Sequence, residues 1–535
     1  MNKTDLVRAL NGILETEKIS DLDLSNLNGE KDFLSEIYEK SLDKTQRKKF
    51  AQFFTHKELV TFIIKNIPME RDSFVLDPAC GAGAFLIEAY NTGHNFDNIY
   101  GVDIDSTVLD LAALNLEHAC GKKSNNLTHA NTLKDCNLSL FPKVLTNGGF
   151  DVIIGNPPFQ NLKKNIDYFE DESIYGDVLS GIANSAALMI AKGYELLKEG
   201  GYLGFVLPKN IVRVDSFLSL RKFLINNTRI THIFDLDHYF KDVRCDQIII
   251  IFQKMKMSKE ELSNNKIEIL IHKKKGDFDK PYKYYMSQDK FLDYKFFPIF
   301  YHESIFPLAQ KFLDYKETVE STSDDIFRGL GVSSSETQKQ RTEKSFVVYR
   351  GDCIQRFGIK YELYLPMDNL KDNQLTRLDR LNRDKIILQN LCSKEGGIFA
   401  TLAKKDELTL DTVTNITSST VDNRYLLAVL NSRITNFFMI FVTFLNSNFT
   451  MHTDREYIGK IPIVVPELDK QKAVIKIVNN LLSLEDKYSA QFFLEYEELN
   501  TLLYDIYKLS ESERNIINNL LKEVMSGRQN GRKNE

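Results

Sequence analysis

An Asn-Pro-Pro-Phe motif beginning at Asn156 has the groups needed for methyl transfer to a planar amine. It follows an apolar, strand-like run at residues 150–155. The lone pair of such an amine is delocalised into its ring, so an enzyme must make the nitrogen more tetrahedral before it can attack. The Asn156 side-chain oxygen and the Pro157 carbonyl can each accept one N–H of the amine. Pro157 and Pro158 restrict φ, and Phe159 offers a flat face on which a base can stack.

A glycine-rich turn about 70 residues earlier gives this motif a context. Taken alone, Asn-Pro-Pro-Phe could be an ordinary rigid turn, because Asn and Pro are common turn residues. Residues 74–89, however, have the pattern of a buried strand, a tight glycine turn and the start of a helix. Gly81 and Gly83 allow a ligand to approach the backbone closely, and Asp77 can accept a hydrogen bond from a cationic amino group.

A second strand, at residues 100–105, carries acidic residues roughly 20 positions beyond the glycines. In a doubly wound α/β fold an acid at this place binds ribose hydroxyls. A nicotinamide dinucleotide site would share this layout, but the turn here is Asp-Pro-Ala-Cys-Gly-Ala-Gly and lacks the Gly-x-Gly-x-x-Gly spacing. The sequence also lacks the Gly-x-x-x-x-Gly-Lys-Ser/Thr pattern of a nucleoside triphosphate site.

These motifs, in this order, resemble the gamma-class adenine-N6 DNA methyltransferases of restriction-modification systems, over roughly residues 45–255. In that class a Phe-Phe-Thr segment precedes the cofactor loop, which precedes Asn-Pro-Pro-Phe, and target recognition lies on the C-terminal side. The resemblance implies S-adenosylmethionine as cofactor and double-stranded DNA as substrate. It also implies that the target adenine is flipped out of the duplex, as bases buried in a stack require.

The resemblance assigns cofactor contacts to Thr55, Asp77, Ala79, Gly81, Gly83, Asp103, Ile104 and Asn131. Thr55 ends a segment in which Ala51 and His56 replace the usual Gly and Pro. Asp103 would bind the ribose, and Ile104 would pack on the cofactor's adenine. Asn131 stands where the family usually has Asp, so it can accept the same hydrogen bond without the charge.

The resemblance assigns catalysis to Asn156, Pro157, Pro158 and Phe159. It also points to Phe217, nine residues after Pro208, as an aromatic residue that flanks the flipped adenine opposite Phe159. An ordinary core aromatic near a helix start is the alternative for Phe217.

The predicted fold is α/β: a Rossmann-like methyltransferase domain, a C-terminal mixed, β-rich target-recognition domain and a helical tail. The length of 535 residues is enough for two large domains. We expect an N-terminal helical segment, the methyltransferase domain, a linker, the target-recognition domain and the tail, at residues 1–45, 46–255, 256–300, 301–465 and 466–535.

A formal net charge of −5 requires DNA to be bound through local basic clusters. The candidates are Lys273, Lys274 and Lys275; Lys339, Arg341 and Lys344; and Arg377, Arg380, Arg383 and Lys385. Each cluster could instead be solvated loop charge. The six scattered cysteines favour neither a metal site nor disulfides.

No long apolar run or signal-peptide layout is visible, so we expect a cytoplasmic protein without membrane contact, a monomer or weak dimer. The sequence shows no convincing nuclease motif, which favours a modification enzyme with a possible separate partner endonuclease. Two alternatives stay open. The chain could be the modification subunit of a type I complex that needs a separate specificity subunit, or it could methylate RNA or a protein glutamine.

Overall fold

The computed structural model describes residues 55–162, 175–178, 184–236, 246–273, 280–370, 372–448 and 450–525. The chain divides into two compact units, residues 1–299 and 300–535. The predicted N-terminal helical segment, residues 1–45, lies outside the described residues, as do residues 51–54 of the Phe-Phe-Thr segment.

The first unit is built on a nine-stranded sheet with the strand order β3-β2-β1-β4-β5-β7-β6-β8-β9. Strands β3, β2, β1, β4 and β5 run parallel, and β7 is antiparallel to both β5 and β6. The strands are β1 (Val75–Asp77), β2 (Ile99–Asp103), β3 (Leu127–His129), β4 (Phe150–Gly155), β5 (Leu197–Pro208), β6 (Thr228–Asp235), β7 (Gln247–Lys254), β8 (Lys266–Ile271) and β9 (Tyr282–Ser287). Because β1, β2 and β4 are parallel, their carboxyl ends place Asp77, Asp103 and Asn156 at one edge of the sheet.

The helices of this unit are α1 (Lys57–Lys65), α2 (Ala84–Asn91), α3 (Ser106–Cys120), α4 (Pro142–Thr146), α5 (Tyr175–Val178), α6 (Ser185–Leu196), α7 (Leu218–Asn227) and α8 (Lys259–Asn264). On one face of the sheet α1 packs through Leu59 and Ile63, which belong to a core cluster with Ile249 and Ile251 of β7. Gly204 of β5 makes this contact possible, since a Cβ there would lie 2.6 Å from Ile63 Cγ2. The predicted Rossmann-like fold is confirmed.

The predicted linker at residues 256–300 is wrong in its described part. Strand β8 pairs in parallel with β6, and β9 pairs antiparallel with β8, so both strands extend the sheet of the first unit. The physical reason is the apolar character of β8, in which Ile267, Ile269, Leu270 and Ile271 are all buried. The first unit accordingly continues to residue 299.

The second unit contains a four-stranded sheet, β10-β19-β15-β17, and a three-stranded sheet, β14-β11-β18. Its strands are β10 (Asp325–Arg328), β11 (Ser345–Tyr349), β12 (Ile354–Gln355), β13 (Gly358–Ile359), β14 (Leu363–Pro366), β15 (Lys385–Gln389), β16 (Leu391–Cys392), β17 (Ala400–Ala403), β18 (Glu407–Thr409), β19 (Val413–Thr417) and β20 (Met451–His452). A core that includes Val348, Leu365, Ile387 and Leu408 joins strands of both sheets.

Helices surround these sheets and form the end of the chain. They are α9 (Ile305–Leu313), α10 (Val319–Thr322), α11 (Asp372–Leu375), α12 (Leu378–Leu381), α13 (Asn423–Asn431), α14 (Arg433–Phe437) with a π-helical continuation (Phe438–Thr443), α15 (Arg455–Ile458), α16 (Leu468–Ser483), α17 (Ala490–Ile506) and α18 (Glu511–Met525). The predicted mixed, β-rich architecture followed by a helical tail is confirmed.

Candidate functional site

The glycine turn between β1 and α2 forms an open cradle at the carboxyl edge of the sheet. Gly81 has φ +52° and Gly83 has φ +91°, left-handed values that favour glycine. A Cβ built on Gly81 would meet nothing within 4 Å, so this side of the turn faces open space. The turn therefore leaves room beside the Gly81 backbone, and the predicted binding of a ligand there stays a prediction.

Side chains from three other segments hold this turn in place. The Gly81 N–H donates to Asp103 Oδ2 at 2.9 Å, Asn115 Nδ2 donates to the Ala82 carbonyl at 2.8 Å, and Thr132 Oγ1 donates to the Pro78 carbonyl at 2.5 Å. Asn115 and Thr132 carry no motif, and the sequence reasoning missed them because their role depends on contacts between distant segments. The cradle is thus fixed before any ligand arrives, which reduces the cost of ordering it.

Asp77 places a buried carboxyl at the start of the cradle. Its side chain is 1% exposed, and Oδ1 accepts a hydrogen bond from the Ala79 N–H at 3.1 Å. Burial, reinforced by the nearby Asp103, raises the pKa of Asp77 to about 8. A cationic group bound here would favour the charged carboxylate and lower this pKa again.

The end of β2 supplies the predicted ribose acid and its apolar neighbour. Asp103 is buried, and its two oxygens accept from Gly81 N and from Asp105 N, the latter at 3.0 Å. Burial raises the pKa of Asp103. Ile104, in contrast, is 55% exposed, an unusual position for an isoleucine. Asn131, after β3, accepts from Leu133 N at 3.1 Å through Oδ1.

Asn156, immediately after β4, has a fixed and unsatisfied amide. Its Nδ2 donates to Thr55 Oγ1 at 3.1 Å, and its buried Oδ1 has no hydrogen-bond partner in the described part of the chain. None of the described residues donates to the Pro157 carbonyl either. Two acceptors thus follow each other along the chain at the strand end, each with a free lone pair. A buried polar atom without a partner is rare and marks a place where a ligand donor is expected.

The rest of the motif is held by Ser185, at the start of α6. Its hydroxyl donates to the Pro158 carbonyl at 2.5 Å and accepts from Gln160 N at 2.8 Å. Phe159, between them, is half-buried. No sequence signal marked Ser185, because a serine at a helix start is common. Its two hydrogen bonds keep the loop from relaxing away from the strand.

Phe217 is 6% exposed and ends a short 3-10 helix, Asp215–Phe217, just before α7. Within the described residues, neither its ring nor that of Phe159 lies against another aromatic ring. The predicted role of Phe217 beside a flipped base therefore stays a prediction.

The basic side chains of the predicted clusters differ in their burial and in whether they pair with acidic or carbonyl oxygens. Lys385 is 1% exposed, and its Nζ donates to the carbonyls of Leu381, Arg383, Lys404 and Glu407 at 2.7 to 3.1 Å. The prediction that Lys385 contacts phosphate is wrong, because its ammonium is enclosed by backbone oxygens. Arg380 pairs with Asp325 at 2.7 Å.

Of the remaining cluster members, one contacts an aromatic ring, two lie outside the described residues, and five are exposed. Lys273 lies over the Tyr282 ring, with Nζ 4.4 Å from its centroid, while Lys274 and Lys275 lie outside the described residues. The exposed cations are Lys339, Arg341, Lys344, Arg377 and Arg383.

The described residues lack both a candidate metal cluster and a single membrane-spanning helix. They contain no group of three or more His, Cys, Asp or Glu side chains that could hold a metal ion. They also contain no single helix long and apolar enough to cross a membrane. The helices Asn423–Asn431 and Arg433–Thr443, bent by 51°, meet that criterion only as a pair.

Two family models match the chain. Residues 29–292 match the model described as N-6 DNA Methylase, and residues 346–463 match the TaqI-like C-terminal specificity domain. Together they cover the glycine cradle, the Asn-Pro-Pro-Phe motif and most of the sheets in the second unit.

Individual relatives carry related descriptions. Type II methyltransferase M.VspI of Vibrio sp. (strain 343) is 30% identical over 223 residues, 41% of this chain and 52% of that protein. The putative type II restriction enzyme and methyltransferase RM.MjaORFECS2P of Methanocaldococcus jannaschii is 24% identical over 512 residues, 86% of this chain and 41% of that protein. The chain thus spans about half the length, or less, of these relatives.

Solved structures share the fold. The type IIL restriction-modification enzyme MmeI in complex with DNA superposes with a TM-score of 0.58 at 12% identity, covering 98% of this chain and 78% of that one. A DrdV–DNA complex gives 0.53 at 14% identity, covering 84% and 60%. The resemblance carried by the sequence motifs is confirmed at the level of domains: the chain contains an N-6 DNA methylase domain in residues 29–292 and a TaqI-like C-terminal specificity domain in residues 346–463.

Proposed function

We propose that this chain is a site-specific DNA methyltransferase that transfers a methyl group from S-adenosylmethionine to the N6 amine of an adenine in double-stranded DNA. The observation that carries the proposal is the Asn156 amide. Its Oδ1 is buried without a partner, its Nδ2 is anchored on Thr55, and the Pro157 carbonyl follows it with no donor of its own in the described residues. These are the two acceptors that a planar amine with two N–H groups requires.

The cradle beside this motif fits the cofactor. Asp77 would accept from its cationic amino group, Asp103 would use its remaining lone pairs for the ribose hydroxyls, and Ile104 would cover the adenine ring. Asn131 would accept from the adenine amine, and Thr55 and Ala79 would line the methionine end. Gly81 keeps the backbone open for this approach, and Gly83, whose φ is +91°, lets the turn pass against Ala112 of α3. When bound, S-adenosylmethionine supplies the electrophilic methyl group.

The remaining steps belong to the protein's own groups. Phe159 stacks on the extruded adenine, which recovers roughly 1 to 3 kcal/mol of the cost of unstacking. Asn156 and Pro157 then accept the two amine N–H groups and favour the tetrahedral geometry in which the nitrogen lone pair can attack. Asn156 cannot act as a base at neutral pH, so the extra proton leaves to solvent after transfer. Phe217 is proposed to flank the extruded adenine on the side opposite Phe159.

Sequence selection is proposed to lie in the second unit, within residues 301–465. The match of residues 346–463 to a specificity domain supports an internal recognition domain and disfavours the alternative of a type I subunit that borrows its specificity. The exposed cations Lys339, Arg341, Lys344, Arg377 and Arg383 are suited to phosphate contacts. We propose a monomer or weak dimer that acts on cytoplasmic DNA as the modification half of a restriction-modification system, beside a separate endonuclease.

The test is to incubate the purified chain with unmethylated genomic DNA and methyl-labelled S-adenosylmethionine, and to map modified bases by single-molecule sequencing. We expect N6-methyladenine at one recurring motif. Asn156→Ala should abolish transfer while calorimetric titration still shows cofactor binding. Unlabelled DNA in the presence of bound cofactor would reject this function for the isolated chain. Equal loss of cofactor binding and transfer in Asn156→Ala would reject the role of Asn156.

A further inference from the structure

Gln247, the first residue of β7, has a deeply buried amide that no described residue satisfies. The residue is 2% exposed, and neither Oε1 nor Nε2 has a hydrogen-bond partner among the described residues. Leaving such an amide unpaired lowers the free energy of unfolding, so its retention at a particular place calls for a partner from outside the chain.

The strand pairing places Gln247 at the same sheet edge as the Asn-Pro-Pro-Phe motif. Gln247 pairs with Pro208 at the carboxyl end of β5, and Phe205 of β5 pairs with Gly155, the residue before Asn156. Gln247 is therefore two strand spacings, about 10 Å, to the side of β4 and two residues, about 7 Å, beyond the level of Asn156 along the strand direction. A base held by its amine at Asn156, together with its sugar, can span that separation.

Gln247 also lies on the same face of the sheet as Asn156. Side chains alternate along a strand, so Gln247 shares its face with Ile249 and Ile251, which pack in the core cluster with α1. The Asn156 side chain reaches Thr55, two residues before α1. Both amides thus leave the sheet on the side that α1 covers.

A buried charged pair that adjoins Gln247 through the strand pairing lies on the other face: Lys209 follows Pro208, and Asp235 pairs with Ile248. Lys209 Nζ and Asp235 Oδ2 are 2.6 Å apart and both side chains are buried. Their neighbours Phe234 and Leu236 belong to the α1-side cluster, so alternation turns Asp235, and the Lys209 bonded to it, away from Gln247. Asn210, just beyond Pro208, adds another buried acceptor, Oδ1, without a described partner.

We propose, resting on the function proposed above, that Gln247 is a second polar contact to the extruded base. Asn156 and Pro157 already accept both amine hydrogens, so the polar atoms that remain on the adenine are the ring nitrogens N1, N3 and N7, which are all acceptors. Gln247 can meet one of them by donating from Nε2. Adenine is then held at two separated points, which fixes the ring in its plane and discriminates against bases lacking an acceptor at that place.

The test combines substitutions of Gln247 with substitutions of the ring nitrogens in the target adenine. Single-turnover methyl transfer by the full chain is measured on the mapped recognition duplex, with N1, N3 and N7 of the target adenine each replaced in turn by C–H. In the wild-type protein one replacement should slow transfer at least about tenfold, the equivalent of one lost hydrogen bond. In the variants Gln247→Met and Gln247→Leu, transfer to normal adenine should slow by a similar factor. In these variants the C–H substitution that slows the wild-type protein should cause no further loss.

Gln253→Leu is the matched control, because Gln253 lies on the same strand and face but donates to the Gly200 carbonyl at 2.9 Å. It should keep the wild-type pattern. Equal wild-type rates on all duplexes would overturn the proposal without any variant, as would a Gln247 variant that retains full sensitivity to the replacement. Failure of the proposed function itself would look different, since the wild-type protein would then methylate none of the duplexes.

Discussion

Gly155 and Asp77 approach each other so closely that a Cβ on Gly155 would lie 2.7 Å from Asp77 Oδ1. The strand that carries the Asn-Pro-Pro-Phe motif is thereby in contact with the carboxyl at the start of the glycine cradle. The two halves of the site are joined through a residue that has no side chain.

Gly155→Ala should weaken S-adenosylmethionine binding about tenfold or more, because the added methyl group displaces the Asp77 carboxyl. Calorimetric titration measures this directly. Gly176→Ala is a suitable control, since a Cβ at Gly176 meets nothing within 4 Å. Unchanged affinity in Gly155→Ala would show that Asp77 does not contact the cofactor.

Thr55→Val should slow methyl transfer about tenfold at saturating cofactor, because the Asn156 Nδ2 loses its acceptor and the amide is free to rotate. Thr55→Ser keeps the hydroxyl and should stay close to wild type. The measurement is the single-turnover rate. If serine and valine reduced it equally, anchoring of the Asn156 amide through the Thr55 hydroxyl would not be the reason for its effect.

Asp77→Asn should change the pH dependence of stability in the cofactor-free protein. Burial raises the pKa of Asp77 to about 8, so the folded protein keeps a proton that the unfolded chain releases near pH 4. Between these values the folded state binds more protons, and the contribution of Asp77 to the free energy of unfolding falls as pH rises, by up to about 1.4 kcal/mol per pH unit. Asn does not titrate.

The advantage of Asp77→Asn over wild type should therefore grow from pH 5 to pH 8 in urea unfolding experiments. A difference independent of pH would mean that the carboxyl has an ordinary pKa in the folded protein.

Lys385→Met should destabilise the second unit by about 3 kcal/mol, because four backbone carbonyls lose their common donor. Thermal or urea unfolding measures the loss. Arg377→Gln, at an exposed cation, should leave stability unchanged and reduce the salt dependence of DNA binding by about one unit of slope. If Lys385→Met changed only DNA binding and Arg377→Gln only stability, Lys385 would contact DNA and Arg377 would stabilise the fold.

The sequence predicted those parts of the molecule whose signals are local. The strand, turn and helix around Gly81 and the Asn-Pro-Pro-Phe loop each occupy one short stretch of chain. Gln247 could not be found this way, because a polar residue before four isoleucines has the appearance of a strand start. Only its pairing with Pro208 shows which edge it occupies.

The burial of Lys385 also could not be predicted from the sequence. Its sequence neighbours include Arg380 and Arg383, which suggested a basic surface patch. Its burial depends on carbonyls from residues about 20 positions away, Lys404 and Glu407, which close around the ammonium once β15 is in its sheet. Charge clustering along the chain therefore does not reveal whether a cation is exposed.

The extension of the first sheet by β8 and β9 determines where a catalytic fragment can be cut. A fragment ending at residue 255 would remove both strands and expose the hydrogen-bonding edge of β6, together with the buried apolar residues behind it. Such an uncovered edge pairs readily with other chains, and the fragment would aggregate. A fragment that ends near residue 299, where the first unit ends, keeps that edge covered.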